Sequence, residues 1–416
     1  MQTWLHCRCC GAEYELGPYF QGCPACEGAL EVAFEYGALR PEVVRDLVQP
    51  GGPARSAALL PVEDLADVVT LGEGNTPLIP STAIGPSLDL EHCFFKNETM
   101  NPTWGHKDRA QSLMLTKARE FGYQHVATTS TGNHGASAAA YTTRAGLRAC
   151  VVLCPPETAD LLLHLIDMYN GIPLVADWAV RHEFLHSLVK DEGWYPATGM
   201  RAGPASNPYG VDGYKSIAYE IVRDLGRAPD QMFMASAIGD SFYGVYKGFQ
   251  ELLRYGVIDR LPRMNTCQPA GANVLEQSVA SGLRECITLP NPQSVAISVR
   301  EPTSGEHALE AIYQSDGRAL SVPDEQILEV MRAIGREGLC VEPASAVAVA
   351  GLIHARQAGW VADDEYVVAV PTSSGVKWPH ELSLVTSSGE RVQPTIADLQ
   401  RVLRDRGLDV TFQPVG

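Results

Sequence analysis

Short apolar runs alternate with helical patterns over most of this chain, and that alternation restricts its fold more than any other feature. The clearest runs are 126–129, 149–153, 232–234 and 366–370. Unbroken apolar runs of this length are typical of strands buried on both faces of a parallel sheet. The predicted helices are 136–144, 242–254, 324–337, 345–358 and 396–406. Strands and helices in this order predict an α/β fold with right-handed crossover connections.

Length and charge narrow the class of protein further. A chain of 416 residues exceeds one ordinary domain, so two lobes with attached segments are expected. No run approaches the ~18 consecutive apolar residues of a membrane span, and the first residues lack the pattern of a secretory signal. With 32 basic against 49 acidic residues, the formal charge is −17, which does not attract nucleic acid or anionic membranes. We therefore expect a cytoplasmic protein with no nucleic-acid or membrane partner.

Five of the eleven cysteines lie within the first 26 residues, and four of them form two pairs with C-x2-C spacing. Cys7 pairs with Cys10, and Cys23 pairs with Cys26. Each pair can place two thiolates on one tetrahedral Zn²⁺, and four thiolates leave no position for water, which makes such a zinc structural. We therefore predict a zinc ribbon over residues 1–30. Redox-active dithiols or a chance cluster are the alternatives.

The other cysteines are expected to bind no metal. Cys9 is left over in the N-terminal group, because only Cys7 with Cys10 keeps the two-residue spacing. The cysteines outside that group are Cys93, Cys150, Cys154, Cys267, Cys286 and Cys340. In a chain of this size we expect these six to be small buried hydrophobic residues in a reducing compartment.

The sharpest chemical signal surrounds Lys107, in the segment Asn101-Pro102-Thr103-Trp104-Gly105-His106-Lys107-Asp108-Arg109. Taken alone, Lys-Asp-Arg also suits an ordinary charged helix start. A lysine at a strand–loop–helix junction can instead reach a cleft where desolvation frees its amine for attack on an aldehyde. The segment resembles the signature N-P-T-x-S-[FY]-K-D-R of the threonine synthases, whose lysine binds pyridoxal 5′-phosphate (PLP) covalently. It departs at Gly105 and His106, where serine and an aromatic residue are usual. The resemblance implies that Lys107 is the catalytic and cofactor-binding lysine.

Two further segments are similar to parts of the same family. The turn 72–78 looks like the family's E-G-x-T-P-L turn, which lines the active site and implies a role for Thr76 in substrate binding. The loop 130–137 resembles the family's S-x-G-N loop, whose asparagine, here Asn133, binds the cofactor's phenolic oxygen. N–H groups and the dipole at a helix N-terminus favour a substrate carboxylate there, although a helix cap explains the pattern equally well. The substrate-binding residues implied in this loop are Ser130, Thr131, Gly132 and His134.

A third loop, 236–244, stands where the family has a glycine-rich cup that binds the cofactor phosphate through backbone N–H groups. The resemblance implies Gly239 and Ser241 as cofactor-binding residues. Asp240 suits this cup poorly, because a carboxylate 4 Å from the phosphate would cost roughly 4 kcal/mol per charge pair at an effective dielectric constant near 20. We therefore expect that Asp240 points away or that the cup is displaced.

Three remaining positions complete the resemblance. In the loop 370–375 the family places a hydroxyl residue against the pyridine nitrogen, which implies Thr372 as a cofactor-binding residue. The segment 342–345 resembles an element that positions the sheet and a helix beside the cofactor. Lys96 matches a lysine in the family's strand before the lysine loop and is expected to contribute near an anionic substrate. A solvated charge at the end of a strand is the alternative for Lys96.

The resemblance covers roughly residues 5–380 and implies fold type II of the PLP enzymes, a two-lobed α/β fold with the cofactor between the lobes. Residues 31–70 are expected to form a helical connector within the large lobe. The expected units are the zinc ribbon at 1–30, a large PLP-binding lobe at 31–109 and 206–385, a small lobe at 110–205, and a C-terminal extension at 386–416.

The resemblance also implies a function. We expect a PLP-dependent lyase or replacement enzyme of amino-acid biosynthesis that acts on an amino acid with a β- or γ-leaving group, such as O-phosphohomoserine. The freed amine of Lys107 would move protons at Cα and Cβ. Another fold-type-II reaction, a β-replacement or a serine/threonine dehydratase in specialised biosynthesis, stays open, as does a non-catalytic binding protein that keeps the fold. The sequence does not decide the substrate, the product or the oligomeric state, for which a homodimer is one option.

His106 is the most informative departure from the family signature, and it has two interpretations. The imidazole can fill the space of the usual aromatic ring and pack against the lysine loop. Alternatively, His106 can contact the substrate. Because an unperturbed histidine titrates near pH 6.5, its imidazole can deliver a proton to the leaving group or place a positive charge near that group. The two interpretations predict different pH–rate profiles.

Overall fold

The computed structural model describes residues 2–49, 57–200, 207–387, 389–408 and 410. Within these residues the strands form three sheets. The first sheet is antiparallel with the order β2-β1-β3, and its strands are β1 (Thr3–Cys7), β2 (Glu13–Tyr14) and β3 (Leu30–Phe34). This small sheet holds the N-terminal cysteine group.

The N-terminal sheet differs from the sequence-based expectation at its C-terminal end. Alternate residues of β3 are buried, which is the two-residue period of a strand with one covered face. The strand pairs with all of β1 and reaches Phe34, where a helical connector was expected from residue 31. In the described part of 31–70, the α-helical structure is confined to α1 (Pro41–Leu47), which begins at a proline suited to the first helical turn.

The second sheet has six strands in the order β12-β11-β10-β13-β5-β4. Its strands are β4 (Leu78–Pro80), β5 (His92–Lys96), β10 (Gln231–Ala235), β11 (Arg263–Pro269), β12 (Ala319–Val322) and β13 (Tyr366–Val370). All neighbours are parallel except β4, which runs antiparallel to β5 at the edge. The apolar runs 232–234 and 366–370 therefore form the two central strands, as a doubly covered parallel sheet requires.

The third sheet has four parallel strands in the order β8-β7-β6-β9. Its strands are β6 (His125–Thr129), β7 (Ala149–Cys154), β8 (Ile172–Val175) and β9 (Tyr195–Pro196). The apolar runs 126–129 and 149–153 form the adjacent strands β6 and β7, and both are buried along most of their length. The sequence thus predicted the central strands of both large sheets.

Helices cover both large sheets, which confirms the α/β fold. The helices after α1 in the described residues are α2 (Ile84–Ser87), α3 (Lys107–Glu120), α4 (Asn133–Arg144), α5 (Asp160–Met168), α6 (Trp178–Lys190), α7 (Pro208–Gly213), α8 (Lys215–Leu225), α9 (Asp240–Arg254), α10 (Val274–Ala280), α11 (Glu306–Gln314), α12 (Asp324–Arg336), α13 (Pro343–Gln357), α14 (Pro379–Val385) and α15 (Ile396–Asp405). Helix α13 is rich in alanine and valine and packs against β10–β13, because small side chains let a helix approach a sheet closely. Among the described helices, none has the length and apolar character needed to cross a membrane.

The cysteines outside the N-terminal group behave mostly as expected. Four of the six are buried among apolar side chains in the two large sheets and their helices. Cys286 is only partly buried and Cys340 is exposed, so the expectation of burial is wrong for Cys340. Cys340 lies in the loop between α12 and α13, and loops run mostly over the protein surface.

Candidate active site

A cavity of about 440 Å³ lies at the carboxyl ends of β6, β10 and β13, where the loops after these strands meet the start of α3. Crevices at the carboxyl ends of parallel strands are the usual place for ligands in α/β folds. Most of the residues that the sequence predicted for the site line this cavity. They are His106, Lys107, Ser130, Thr131, Asn133, His134, Gly239, Ser241 and Thr372.

Lys107 is the first residue of α3, and its amine faces the cavity. Burial lowers the pKa of Lys107, while the carboxylates of Asp240, Glu342 and Glu301 oppose that shift. Among the described residues no acidic group lies within ion-pair distance of the amine, which lies 5.8 Å from the ring centroid of Tyr214. A lysine with a lowered pKa and no ion pair has a larger neutral, nucleophilic fraction near pH 7.

The loop before Lys107 is tied to the end of β13. The backbone N–H of His106 donates to the carbonyl of Thr372 at 2.8 Å, and Gly105 forms a bridge with Ser373. A side chain at Gly105 would stand 2.9 Å from the hydroxyl oxygen of Ser373, which accounts for glycine at this position. The departure from serine at 105 therefore permits a close approach of two loops.

The His106 ring is buried beside the same loop. Its Nδ1 lies 3.2 Å from the Thr372 carbonyl, and its centroid is 5.4 Å from that of Tyr214. Burial, reinforced by the nearby charge of Lys107, lowers the pKa of His106 well below its usual value. The ring is therefore neutral at physiological pH, and Nδ1–H donates to the carbonyl. These contacts favour the packing interpretation.

The loop after β6 presents Asn133 to the cavity. Gly132 has a φ of 135°, a conformation that favours glycine, and an added side chain would collide with Leu162 at 2.4 Å. The hydroxyl of Ser130 accepts from the N–H groups of Gly132 and Gly135 at 2.9 and 2.8 Å, which closes the turn. Gly132 thus shapes the loop without lining the cavity.

The two polar atoms of the Asn133 side-chain amide differ in their hydrogen bonding within the described residues. Its amide nitrogen donates to Glu342 at 2.7 Å, whereas its oxygen Oδ1 is buried without a hydrogen-bond partner among the described residues. An unpaired buried polar atom costs free energy unless a ligand satisfies it. His134, the next residue, directs Nε2 to the carbonyl of Ala197, and burial lowers its pKa to about 4.

The loop after β10 ends at the first turn of α9. Gly239 has a φ of 105°, and an added Cβ there would stand 2.6 Å from that of Ala308. The 15-residue helix α9 then begins at Asp240, with Ser241 beside it at the cavity wall. The side chain of Asp240 lies 3.1 Å from Nε2 of His307. Asp240 lines the cavity, so the expectation that it points away is not met. Its carboxylate has the His307 imidazole as a neighbour.

Thr372 follows β13 and has a buried hydroxyl in contact with α13. Its Oγ1 lies 3.1 Å from the hydroxyl of Ser345, which also accepts from the N–H of Ser373 at 2.8 Å. Ser345 belongs to the segment 342–345 that the sequence placed beside the site, and Glu342 of that segment lines the cavity. A neutral hydroxyl network therefore borders this side of the cavity.

Two predicted substrate-binding residues lie elsewhere. The amine of Lys96 is fully buried, 2.7 Å from a carboxylate oxygen of Glu220, and the hydroxyl of Thr76 donates to Glu98 at 2.6 Å. Arg109 pairs with both of these glutamates at 2.7 Å. Neither Lys96 nor Thr76 lines the cavity, so the expectation that they contact a substrate is not met. The solvated alternative for Lys96 is also wrong, because the buried pairs hold the lysine behind the lysine loop.

Sequence reasoning missed several charged and aromatic residues of the cavity wall. They are Trp178, Arg181, Tyr214 and Glu301. Trp178 and Arg181 lie in α6, and Glu301 lies in the loop before α11, far from any motif. No helix was predicted at α6, and the signal available there was Arg181 as a cation close to Trp178, Val180 and Phe184 in the sequence. Such a signal is weak because long charged side chains often snorkel to solvent.

The N-terminal cysteines form a second, separate group. The Sγ atoms of Cys7, Cys10, Cys23 and Cys26 all lie within 4.8 Å of one another. Two of the separations are 3.5 Å, for Cys7 and Cys26, and 3.7 Å, for Cys10 and Cys23. Four ligands about 2.3 Å from a tetrahedral zinc would be separated by roughly 3.8 Å, so the arrangement is compatible with zinc. Cys9 is outside this group.

The cavity also fits the predicted cofactor. Three groups line one space: the half-buried Lys107, which has no ion pair within the described residues, the buried Asn133 oxygen, which has no partner among them, and Gly239 at the start of a long helix. These correspond in kind to an aldehyde-binding amine, a partner for a phenolic hydroxyl and a phosphate-binding helix start. The volume of about 440 Å³ is within the range of small-molecule sites.

Comparison with known proteins agrees with this geometry. The family model described as "Pyridoxal-phosphate dependent enzyme" matches residues 69–373. The chain is 31% identical to the threonine synthase of Methanocaldococcus jannaschii over 408 residues, which cover 96% of this chain and 99% of that protein. It is 36% identical to the threonine synthase of Mycobacterium tuberculosis over 331 residues, 79% of this chain and 89% of that protein.

Solved structures show the same fold at lower identity. A processed threonine deaminase isoform from Solanum lycopersicum is 20% identical and superposes with a TM-score of 0.65 over 77% of this chain and 88% of that one. A mutant of O-ureido-L-serine synthase with O-ureido-L-serine bound is 16% identical, with a TM-score of 0.65 over 82% of this chain and 99% of that one.

Proposed function

Because the chain belongs to the family of pyridoxal-phosphate-dependent enzymes and resembles threonine synthases, we propose that it acts on an α-amino acid with a leaving group at Cβ or Cγ. One observation carries the proposal. Lys107, half-buried with a lowered pKa, shares a cavity of about 440 Å³ with Asn133, Gly239 and Thr372. This is the set of groups that such a cofactor needs in one place.

Five residues would hold the cofactor. Lys107 would bind it covalently, Asn133 would meet the phenolic oxygen, and Thr372 would meet the ring nitrogen. Gly239 and Ser241, at the start of α9, would receive the phosphate, for which helix N–H groups and the helix dipole provide a favourable environment. The unpaired Asn133 oxygen and the space left by Gly239 support these assignments.

When bound, pyridoxal phosphate supplies an electron sink that stabilises negative charge at the α-carbon of an amino acid. The chain supplies the proton transfers. The amine of Lys107 faces the cavity with a lowered pKa, so it can accept a proton from Cα and return one at Cα or Cβ near pH 7. The loop Ser130–Gly132 and the N-terminus of α4 would receive the α-carboxylate, with Thr131 at the cavity wall.

The architecture and the cysteine group carry further parts of the proposal. We propose that the six-stranded and four-stranded sheets are the cores of a large and a small lobe with the cofactor between them. We also propose one structural zinc on Cys7, Cys10, Cys23 and Cys26, supported by their mutual distances. A cytoplasmic location suits a biosynthetic enzyme with four free cysteines buried in its cores. A homodimer is proposed as the assembly.

A product assay tests the reaction. Purified, PLP-loaded protein is incubated with O-phospho-L-homoserine, O-phospho-L-serine, L-serine and L-threonine, and phosphate, amino acids and 2-oxo acids are measured. We expect phosphate release with an amino-acid product from one of the phosphorylated substrates. Release of 2-oxo acid and ammonia from serine or threonine would instead show a dehydratase, and no turnover or cofactor spectral change with any of them would refute the proposal. Lys107→Ala is the inactive control.

A further inference from the structure

Glu342 is a buried carboxyl at the cavity wall to which the mechanism above assigns no role. Only 2% of its surface is exposed, and it directly precedes the first residue of α13. Its backbone N–H donates to the carbonyl of Ser373 at 3.2 Å, which ties it to the loop after β13. It lines the same cavity as Lys107. The backbone therefore fixes this carboxyl beside the cavity.

The side-chain amide of Asn133 is the neighbour whose orientation depends on Glu342. Its Nδ2 donates to Glu342 at 2.7 Å and lies 3.4 Å from the hydroxyl of Ser298, while its Oδ1 is buried without a partner among the described residues. An ionised carboxylate accepts hydrogen bonds and cannot donate them. While Glu342 is ionised, the amide nitrogen of Asn133 must therefore face Glu342, and the carbonyl oxygen is left for the cavity.

A protonated Glu342 permits the opposite orientation of this amide. Its O–H can donate to Oδ1 of Asn133, and the two N–H donors of the amide then face the cavity. Burial raises the pKa of Glu342, while the charge of Lys377, hydrogen bonds from Asn133 and Trp378, and the charge of Lys107 oppose that shift. Because burial prevails and the pKa is raised, the protonated form of Glu342 is more accessible than that of an exposed glutamate.

On the premise of the proposed function, in which Asn133 meets the phenolic oxygen of PLP, we propose that Glu342 is a positioning residue that sets the protonation state of that oxygen through Asn133. Ionised Glu342 turns the carbonyl oxygen of Asn133 toward the cofactor, whose phenolic oxygen then donates and keeps its proton. Protonated Glu342 turns the amide N–H groups toward the cofactor, and these donors stabilise the phenolate. Both arrangements hold the same number of protons, so Glu342 and the phenolic oxygen share one proton as a coupled pair.

The absorbance spectrum of the PLP-loaded protein at one fixed pH tests this inference, because the phenolate absorbs at longer wavelength than the neutral phenol. Wild type is expected to show both bands. Glu342→Gln has nearly the same shape, carries no charge and can donate to Oδ1 of Asn133, so it should favour the phenolate. We expect the ratio of long-wavelength to short-wavelength absorbance to rise at least about tenfold, the range of a hydrogen bond to a charged group.

Three further variants separate the contact with Asn133 from the charge of Glu342. Glu301→Gln removes another carboxyl that lines the cavity and makes no hydrogen bond to Asn133, so the ratio should stay within about threefold of wild type. In an Asn133→Ala background, Glu342→Gln should leave the ratio unchanged, because the amide that links the two groups is gone. Glu342→Asp keeps the charge but shortens the side chain, which should break the 2.7 Å contact and raise the ratio as well. It replaces Glu342→Gln if that protein folds poorly.

Each other outcome overturns one of the two proposals. If wild type shows no absorbance from bound cofactor, the proposed function fails. If Glu342→Gln and Glu342→Asp both keep the wild-type ratio, Glu342 does not set the orientation of Asn133 and the inference fails. If Glu342→Gln raises the ratio equally in the Asn133→Ala background, or if Glu301→Gln has the same effect, negative charge acts on the cofactor directly and the inference fails as well.

Discussion

The guanidinium carbon of Arg8 lies 4.5 Å from the ring centroid of Tyr243, which joins the N-terminal cysteine group to helix α9. Arg8 follows Cys7 directly and pairs with Glu310 on α11. The ring of Tyr243 in turn contacts His307 edge-on, with centroids 5.3 Å apart. His307 is the neighbour of Asp240 at the start of α9, so a continuous set of contacts runs from the cysteines to the end of the cavity proposed for the cofactor phosphate.

These contacts predict that loss of metal weakens cofactor binding. Cys23→Ser is expected to lower zinc from about one per chain and to raise the dissociation constant of PLP several-fold, because Arg8 loses its fixed position against α9. Cys9→Ser is the matched control and should change neither value, since Cys9 lies outside the four-thiolate group. Zinc is measured by atomic emission and PLP by fluorescence titration. Full zinc content in Cys23→Ser would contradict the ligand set.

Lys107 is predicted to be the attachment point of the cofactor. Lys107→Ala should lose the long-wavelength absorbance of bound PLP and all turnover, while its thermal unfolding stays cooperative, because the side chain makes no ion pair with the described residues. Borohydride reduction of wild type followed by peptide mapping should place the label on Lys107. A label on another lysine, such as Lys377 in the same region, would refute the assignment.

His106 is predicted to act by packing. Because burial holds its pKa well below the usual 6.5, the ring carries no charge between pH 6 and 8. His106→Phe should therefore keep PLP affinity and kcat within about threefold, and its pH–rate curve should match that of wild type in this range. The measurement is kcat against pH for both proteins. A lost limb of the curve with PLP still bound would restore the proton-transfer interpretation.

The carboxylate of Asp240 is predicted to lower the affinity of the protein for PLP. Asp240→Asn removes a negative charge at the start of α9 without changing shape, so PLP should bind several-fold more tightly. The same change removes a carboxylate that raises the pKa of Lys107, so that pKa should fall further and the acidic limb of turnover, where the neutral amine is lost, should move to lower pH. Glu306→Gln, in the exposed first turn of α11, is the charge control. Weaker PLP binding in Asp240→Asn would show that the carboxylate holds His307 for the phosphate.

Lys96 is predicted to stabilise the fold and not to bind substrate. Lys96→Met breaks a buried pair with Glu220 and should lower the free energy of unfolding by about 3–5 kcal/mol, with KM unchanged. Burial by itself would raise the pKa of Glu220, but Arg109 and Lys96 bring it below its usual value. A lowered folded-state pKa stabilises the protein above the unfolded-state pKa of about 4.3, and this contribution is lost as pH falls. Wild type should therefore lose more stability on acidification than Lys96→Met, and a raised KM in the variant would contradict this reading.

The sequence pattern was sufficient to predict those parts of the protein whose structure depends mainly on a single segment. The apolar runs predicted the central strands β6, β7, β10 and β13, because a strand covered on both faces must be apolar throughout. The C-x2-C pairs predicted four thiolates that do lie together, since two residues between ligands suit one metal. The loops after the strands were found through their resemblance to the threonine synthase motifs, and the fold brings them together because the carboxyl ends of parallel strands share one edge of a sheet.

The tertiary structure determined which charged side chains are paired and which titratable groups are ionised. Lys96 and Arg181 are both cations in unremarkable surroundings in the sequence. Lys96 is neutralised by Glu220, whereas Arg181 lines the cavity and has no carboxylate of the described residues within ion-pair distance. His106 looked able to titrate near neutral pH until its burial beside Thr372 and Lys107 was known. The physical reason is common to all three. Ionisation and pairing depend on distance and desolvation among residues remote in sequence, and a sequence pattern specifies neither.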